Sequence, residues 1–510
     1  MKTGTHLTIF LCLFFLGFLL LPWSKAEGVN FYVDGSNGDD SWDGLSWASA
    51  NKTVSAAISA ANATGETDTI RVAAGTYVEN VVITTPEILL GGYPVGGGER
   101  DWEANATILD GARLGSVVWI KGNGFGTVVD GFTVTNGYNG PDGIGGGVLI
   151  CDSPYPENAP QTVIQNCTIT GNEASKGGGI FTYEVDTRIL NNRIIGNIAL
   201  GSPAQGGGIA VFQKKHAGVF IIEGNTISDN LTQFEVFPMG GGIVISDIQD
   251  TDTENPEPRV FVRNNVIRHN QVCGVRVGCC ASLENNEISE NLGDGVVTGP
   301  VTWTGGGIWP VWRVEVSNNT IAGNTEYGVH AVFGFVRTDI SRSIFWGNLA
   351  TSYPFLQDRH NFVYSLTQDV QSGEGNLSTD PLFVPGPEGD YYLSQVAAGQ
   401  ANDSPAVDSG GISAVEAGVE FRSTRTDGVR DTGVADRGFH YPPSSFNIFR
   451  GTDPANLPAY VTGIQLPYTD TGARTDLSFP LLFYRVDTDR AIVLRPSGTD
   501  LEILYFPDRS

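Results

Sequence analysis

NCTITGN (166–172), NNRIIGN (191–197), GNTISDN (224–230), NNVIRHN (264–270), NNEISEN (285–291) and NNTIAGN (318–324) are copies of one seven-residue phrase. A looser copy, SRSIFWGN, runs over 341–348. The isoleucines of these phrases are Ile169, Ile194, Ile227, Ile267, Ile288, Ile321 and Ile344, spaced 25, 33, 40, 21, 33 and 23 residues apart. The short intervals fit one turn of a β-solenoid, and the long ones fit the same turn with loops inserted. A short strand with a single inward isoleucine cannot bury its apolar face alone. Stacked on copies at about 4.8 Å, it builds a continuous column. Asparagine at the strand ends tolerates left-handed backbone angles, and its amide can bond the turns above and below.

A second phrase alternates with the first. It begins at Gly145-Gly146-Gly147-Val148 and returns at 177–180, 206–209, 240–243 and 305–308, with reduced forms at Gly274-Val275 and Gly328-Val329. Each coil therefore carries at least two short strands. Apolar residues alternate over four or five positions and then stop at Gly or Asn, which no helical period reproduces. Propeller blades need about 40 residues or more, so the short coils exclude them.

Working outward, Thr53 to Ala63 sets Val54, Ala57, Ile58 and Ala61 at helical spacing, a short amphipathic helix expected to cap the N-terminal end of the stack. Regularity fades after Asn348. Residues 446–510 read as a small separate β module, with strands near 483–486, 491–494 and 501–506. At the other end, Lys2, the apolar run 7–21 and Ser24-Lys25-Ala26 have the form of a secretory signal, cleaved after Ala26. No second run of that kind follows, so no transmembrane span is expected in the mature chain. The expected division is a signal peptide at 1–26, an N-terminal cap at 27–68, the solenoid with its closing region at 69–442, and the C-terminal module at 446–510. The protein is accordingly expected to be secreted or held at the cell surface.

The formal charge of −26 argues against a nucleic-acid partner. It also makes an acidic polysaccharide an awkward ligand unless cations bridge the two. Beyond Cys12, the cysteines are Cys151, Cys167, Cys273, Cys279 and Cys280, an odd set without zinc spacing. They read as buried apolar thiols, with a bridge from Cys273 to Cys279 or Cys280 as the alternative in an oxidising compartment.

With the repeats in hand, the chain resembles bacterial right-handed parallel β-helix proteins of the pectate-lyase-like superfamily. FYVDGSNGDDSWDGLSWASA and DTIRVAAGTYVENVVI are similar to their opening. GGYPVGGGERDWEANATILDG, GFTVTNG and GGGV resemble segments of polymorphic outer-membrane-protein-like surface proteins. NLSTDPLF, SPAVDSGG and DRGFHYP resemble the close of the same group. The resemblance covers roughly 30–442 and implies an all-β, right-handed parallel β-helix and export. The group includes polysaccharide lyases, hydrolases and epimerases alongside surface proteins of no known activity. Neither the calcium-aspartate and arginine pattern of pectate lyases nor the paired aspartates of polygalacturonases is present.

Period-two alternation places Leu149, Phe181, Ala210, Val244, Arg276, Trp309 and His330 on the outer face of the Gly-rich strands. Arg276, Trp309 and His330 are expected side by side on successive coils, about 5 Å apart. There they could stack on and hydrogen-bond a sugar, or in a lyase neutralise a carboxylate and take a proton. The plain alternative is a mixed outer face beneath a loop. Glu184 and Asp186, two apart on an apparent strand, would face one way at ~6.5–7 Å, near the spacing of inverting glycosidases, or would form a solvated edge. Asp247, Asp250, Asp252 and Glu254 share an inserted loop that could hold calcium or simply be solvated. Asp39, Asp40 and Asp43 read as a capping turn, and Lys214-Lys215-His216 as an exposed turn. Two functions remain open. One is a non-catalytic, adhesin-like surface protein binding glycans or partners. The other is a secreted polysaccharide lyase or glycoside hydrolase with a groove on the outer face.

Overall fold

The computed structural model describes residues 28–151, 160–202, 204–213, 219–233, 239–247, 260–299, 312–332, 336–353 and 359–442, together with strands between 446 and 505. The proposed signal peptide, Trp309, Asp250, Asp252, Glu254 and the 214–216 island lie outside these residues.

Among the described residues, three long sheets run the length of the stack, and every pairing within them is parallel. Sheet 1 has twelve strands, from Asn30–Val33 to His360–Val363. Sheet 2 has eleven, from Gly75–Val78 to Leu366–Thr367, and sheet 3 has ten, from Val81–Ile83 to Ala350–Ser352. One coil illustrates the path: Thr187–Leu190 in sheet 1, Arg193–Ile195 in sheet 2, Ile198–Leu200 in a short side sheet, and Ile209–Gln213 in sheet 3. The Asn/Ile phrase forms sheet 2 and the Gly-rich phrase forms sheet 3. Sheet 1, built from segments such as TVIQ, FIIE and ASLE, has no shared phrase and supplies a strand beyond the two seen in every repeat.

Six of the seven isoleucines stack as expected. Ile169, Ile194, Ile227, Ile267, Ile288 and Ile321 are successive partners, all fully buried. The seventh does not: Ile321 pairs with Phe345, and Ile344 pairs with Thr320. The phrase is anchored by its closing asparagine, since Asn324 N–H donates to Asn348 Oδ1 at 3.0 Å, and that contact moves Phe345 into the column. Ile344 turns outward instead and packs with Leu366, Leu393 and Ala406.

Each coil bends twice around an asparagine ladder. At the first bend Asn192, Asn225, Asn265, Asn286 and Asn319 are stacked. Each of the first four gives its Nδ2 to the Oδ1 of the next, at 2.9 to 3.1 Å. Asn172, Asn197, Asn230, Asn270, Asn291, Asn324 and Asn348 do the same at the second. Residues just before the first ladder, such as Asn191, Asn264 and Asn285, take positive φ, as the reversal requires. In the Gly-rich phrase the leading glycine is left-handed (Gly177 φ 61°, Gly206 φ 63°). The glycines after it let neighbouring coils touch: a Cβ on Gly242 would stand 2.3 Å from the carbonyl oxygen of Gly274.

The N-terminal end is closed by the helix Val54–Ala61, N-capped by the Thr53 hydroxyl, with Val54, Ala57, Ile58 and Ala61 buried as expected. Asp39, Asp40 and Asp43 accept hydrogen bonds from Ser41, Thr53 and Ser49, which makes them the capping turn. The closing region that follows Thr367 folds back along the flank of the stack. Asn285 and His440 exchange two hydrogen bonds, and the Tyr441 hydroxyl donates to Glu287 at 3.0 Å. Between 446 and 505 the strands pair antiparallel in two small sheets, with Phe483–Val486, Ile492–Ser497 and Asp500–Tyr505 close to the expected positions. Cys273 is a buried thiol in no disulfide, so the alternative bridge from it to Cys279 or Cys280 is not formed. Among the described residues no helix is long and apolar enough to cross a membrane.

Candidate functional site

The outer face of sheet 3 carries the expected stripe, with one change of register. Trp119, Leu149, Phe181, Ala210, Val244, Arg276, Val297 and His330 are successive partners. Val297, from the strand Leu292–Thr298, occupies the rung assigned to Trp309. Gly293-Asp294-Gly295-Val296 keeps two of the three glycines, but the complete run at 305–307 matched the phrase better in sequence. Arg276 and His330 are therefore two rungs apart, about 10 Å, with an apolar rung between them. Phe181 is buried, packed on Phe212 and Tyr183 at centroid distances of 5.4 and 6.5 Å, and offers no open sugar platform.

His330 has a partner that sequence reading missed. Its Nδ1 lies 2.9 Å from the Asp294 carboxylate, which also accepts the Tyr327 N–H at 3.0 Å. A carboxylate at Nδ1 fixes that nitrogen as the donor and leaves Nε2 as the basic one. The Tyr353 ring lies 4.3 Å from the imidazole and Tyr327 forms an edge contact at 5.7 Å. Asp294 is buried while His330 is partly exposed, the arrangement of an oriented base. Burial depresses the Arg276 guanidinium, opposed by Cys273 and Asp294 nearby. Burial also pushes the Cys273 thiol up to about 12, so it is no nucleophile.

The other expectations fare differently. Glu184 and Asp186 are not on one strand: Ile180–Tyr183 ends before them and Thr187–Leu190 begins after. Glu184 has φ +57°, which breaks the alternation that would align the two carboxylates. Asp186 Oδ1 accepts the Val219 N–H, and burial raises its carboxyl. Asp247 ends the strand Ile243–Asp247. Among the described residues no group of three His, Cys, Asp or Glu side chains is placed to hold a metal ion.

A concavity lies elsewhere, on the outer face of sheet 1. It is a trough of about 1010 Å³, floored by the strands from Glu223 to Val363 and walled by Val415 to Phe421 of the closing region. Alternation in Trp312–Ser317 and Val336–Ser341 buries Val314, Val316, Val336 and Ile340 and turns Arg313, Glu315, Arg337 and Asp339 outward. These charges interlock. Asp339 accepts from Arg313 Nε at 2.8 Å and from Arg337 Nε at 3.0 Å, Arg313 reaches Glu315 at 3.4 Å, and Arg263 pairs with Glu223 at 3.0 Å. Burial alone would raise Asp339, but hydrogen bonds from Asn361, Arg313 and Arg337 hold it below the usual carboxylate range. The strand RVEVS alternates charged and apolar residues in the sequence, and that was the available signal.

The fold now has its family counterpart. Residues 116–302 match the family described as right handed beta helix region. The three parallel sheets make the fold a right-handed parallel β-helix. No curated protein matches it significantly. Among solved structures, the β-helix is similar to XylC in complex with xylose (12% identity, TM-score 0.39, covering 73% of this chain and 90% of that one). It is also similar to the catalytic domain of a GH87 α-1,3-glucanase in complex with tetrasaccharides (12%, TM-score 0.26, 64% and 68%). A third likeness is tailspike protein 3 of bacteriophage CBA120 (11%, TM-score 0.25, 64% and 56%).

Proposed function

We propose that this β-helix protein is exported and binds a polysaccharide or cell-surface glycan, without cleaving it, in the trough over sheet 1. The observation that carries the reading is the interlocked floor of Arg313, Arg337, Glu315 and Asp339 beneath a wall formed by the closing region. Sugar hydroxyls donate to carboxylates and accept from guanidinium groups, so a floor that alternates the two meets a polyhydroxylated chain along its length. Its charges balance, which suits a neutral or sparsely charged glycan on a protein of net charge −26. Asp339 is held ionised by its arginines, which suits an acceptor and not the raised-pKa acid of a glycosidase. The test is a panel of plant, algal and microbial polysaccharides, scored for binding and for new reducing ends. Binding without cleavage, weakened at least tenfold by Arg313→Ala, supports the reading. Absence of binding, or binding unaffected by Arg313→Ala, overturns it.

A second reading rests on the Asp294–His330 hydrogen bond. An oriented imidazole with Arg276 two rungs away is suited to taking a carbon-bound proton beside a carboxylate, as in a polysaccharide lyase. Unsaturated-uronate absorbance that vanishes in His330→Ala would favour it, and its absence across the panel removes it.

A further inference from the structure

The floor and the wall of the trough differ in chemistry. On the floor the side chains of Arg313, Glu315 and Arg337 are 46%, 39% and 61% exposed, so a bound molecule can reach them. The wall is apolar at both ends. Val415 is 68% exposed, and Phe421 is partly exposed, with the Arg430 guanidinium over its ring at 5.4 Å. Of the two carboxylates between them, Glu416 is held by Ser413 in the cap of the helix Ala414–Ala417, and Glu420 adds one acceptor next to Phe421. Hydrogen bonds fix the shape of this wall. Gly418 takes φ 71° and ends the helix, the Val419 N–H donates to Ala414 O at 3.0 Å, and the Arg422 N–H donates to Val419 O at 2.9 Å. Phe421 therefore sits inside a closed turn. The floor crosses six successive strands of sheet 1, from Phe220–Glu223 to His360–Val363, about 24 Å along the axis.

We propose that the trough takes an extended β-1,4-linked glucan ribbon, with a pyranose face on Phe421 and the hydroxyl edge on the charged floor. The proposal rests on the trough being a glycan site and names the class of glycan. In a β-glucose ring every substituent is equatorial. Both faces therefore carry only C–H groups, and the rim carries the hydroxyls. A face meets an aromatic or aliphatic wall, while a rim exchanges hydrogen bonds with carboxylates and guanidinium groups. Equatorial links make the chain a flat ribbon, so each ring along the axis can keep a face to the wall and an edge to the floor. An α-1,4-linked chain winds, and successive rings turn away from that arrangement.

Cellohexaose and maltohexaose test this, since they differ only in the configuration of their links. Titrated by ligand-observed NMR against the full chain, cellohexaose is expected to bind at least tenfold more tightly. Phe421→Ala should cut that preference below threefold and Phe421→Trp should keep it, with both variants checked for unchanged melting. Should Phe421→Ala unfold, Phe421→Leu takes its place, because it keeps the apolar bulk and loses the flat ring. Equal binding of the two hexasaccharides, or a preference that survives loss of the ring, overturns the ribbon proposal. So does a trough that holds another polysaccharide and neither hexasaccharide. In each of these cases, polysaccharide binding weakened by Arg313→Ala leaves the trough itself standing as a glycan site. If nothing in the panel binds, both proposals fall.

Discussion

Asn265 and Asn286 are 21 residues apart in the chain, yet the backbone N–H and the Nδ2 of Asn265 both donate to Asn286 Oδ1 at 3.0 Å. Asn286 passes its own Nδ2 to Val262 O and Asn319 Oδ1, so one buried amide joins three coils. Truncating it strands donors and acceptors where water cannot reach. Asn286→Ala is expected to lower stability by roughly 2–4 kcal/mol in chemical denaturation. A loss under 1 kcal/mol would show that the ladder is ornamental to stability.

The Gly-rich bends make a different prediction. Gly242 faces a neighbouring backbone carbonyl, which cannot swing away as a side chain can. Gly242→Ala is therefore expected to cost at least the 1–3 kcal/mol typical of overpacking, read as a drop in melting temperature. A methyl group tolerated without loss would mean that the coils are looser than these contacts.

Near the N-terminal end, Glu87 is fully buried beside Asp68, and burial lifts its carboxyl from 4.5 to about 7. A raised folded-state value means that the fold holds the proton more tightly than the unfolded chain does. The resulting stability is complete below about 4.5 and is lost as pH rises through about 7, by at most about 3 kcal/mol. Glu87→Gln should therefore be more stable than the natural chain at pH 8 and lose that advantage towards pH 4.5. Parallel melting curves for the two proteins across this range would contradict the assignment.

In the trough, Asp339 accepts from Arg313, Arg337 and Asn361. Asp339→Asn should free both arginines and shift glycan preference towards acidic chains, while stability changes by no more than about 1 kcal/mol because the pairs are solvent-facing. The check is binding of matched neutral and acidic polysaccharides with melting measured alongside.

How much of this was legible follows from which residues repeat. The columns through Ile169 to Ile321 and both asparagine ladders could be read because each coil restates the same side chain at the same bend. Phe345 displaced Ile344 because the ladder asparagine, not the hydrophobe, sets the register, and alignment on Asn348 would have revealed it. Val297 and Asp294 were missed because the fuller glycine run at 305–307 drew the alignment away from Gly293-Asp294-Gly295-Val296. Pairs such as Asp294 with His330, 36 residues apart, leave no mark in local spacing. The trough was invisible for a related reason: sheet 1 has no common phrase, and its wall comes from residues 415–421, which return to the stack only after the last coil.

That return also decides how the protein answers to load. The last described contacts of the closing region, at Phe439 to Tyr441, lie beside the coil of Glu287 and not at the tip of the rod. Tension applied through the C-terminus would reach the Phe439, His440 and Tyr441 contacts one after another, as a strip is unzipped from its backing. The stacked coils, pulled across many parallel ladders at once, would stay intact, so the first thing to yield under strain would be the closing region that walls the trough.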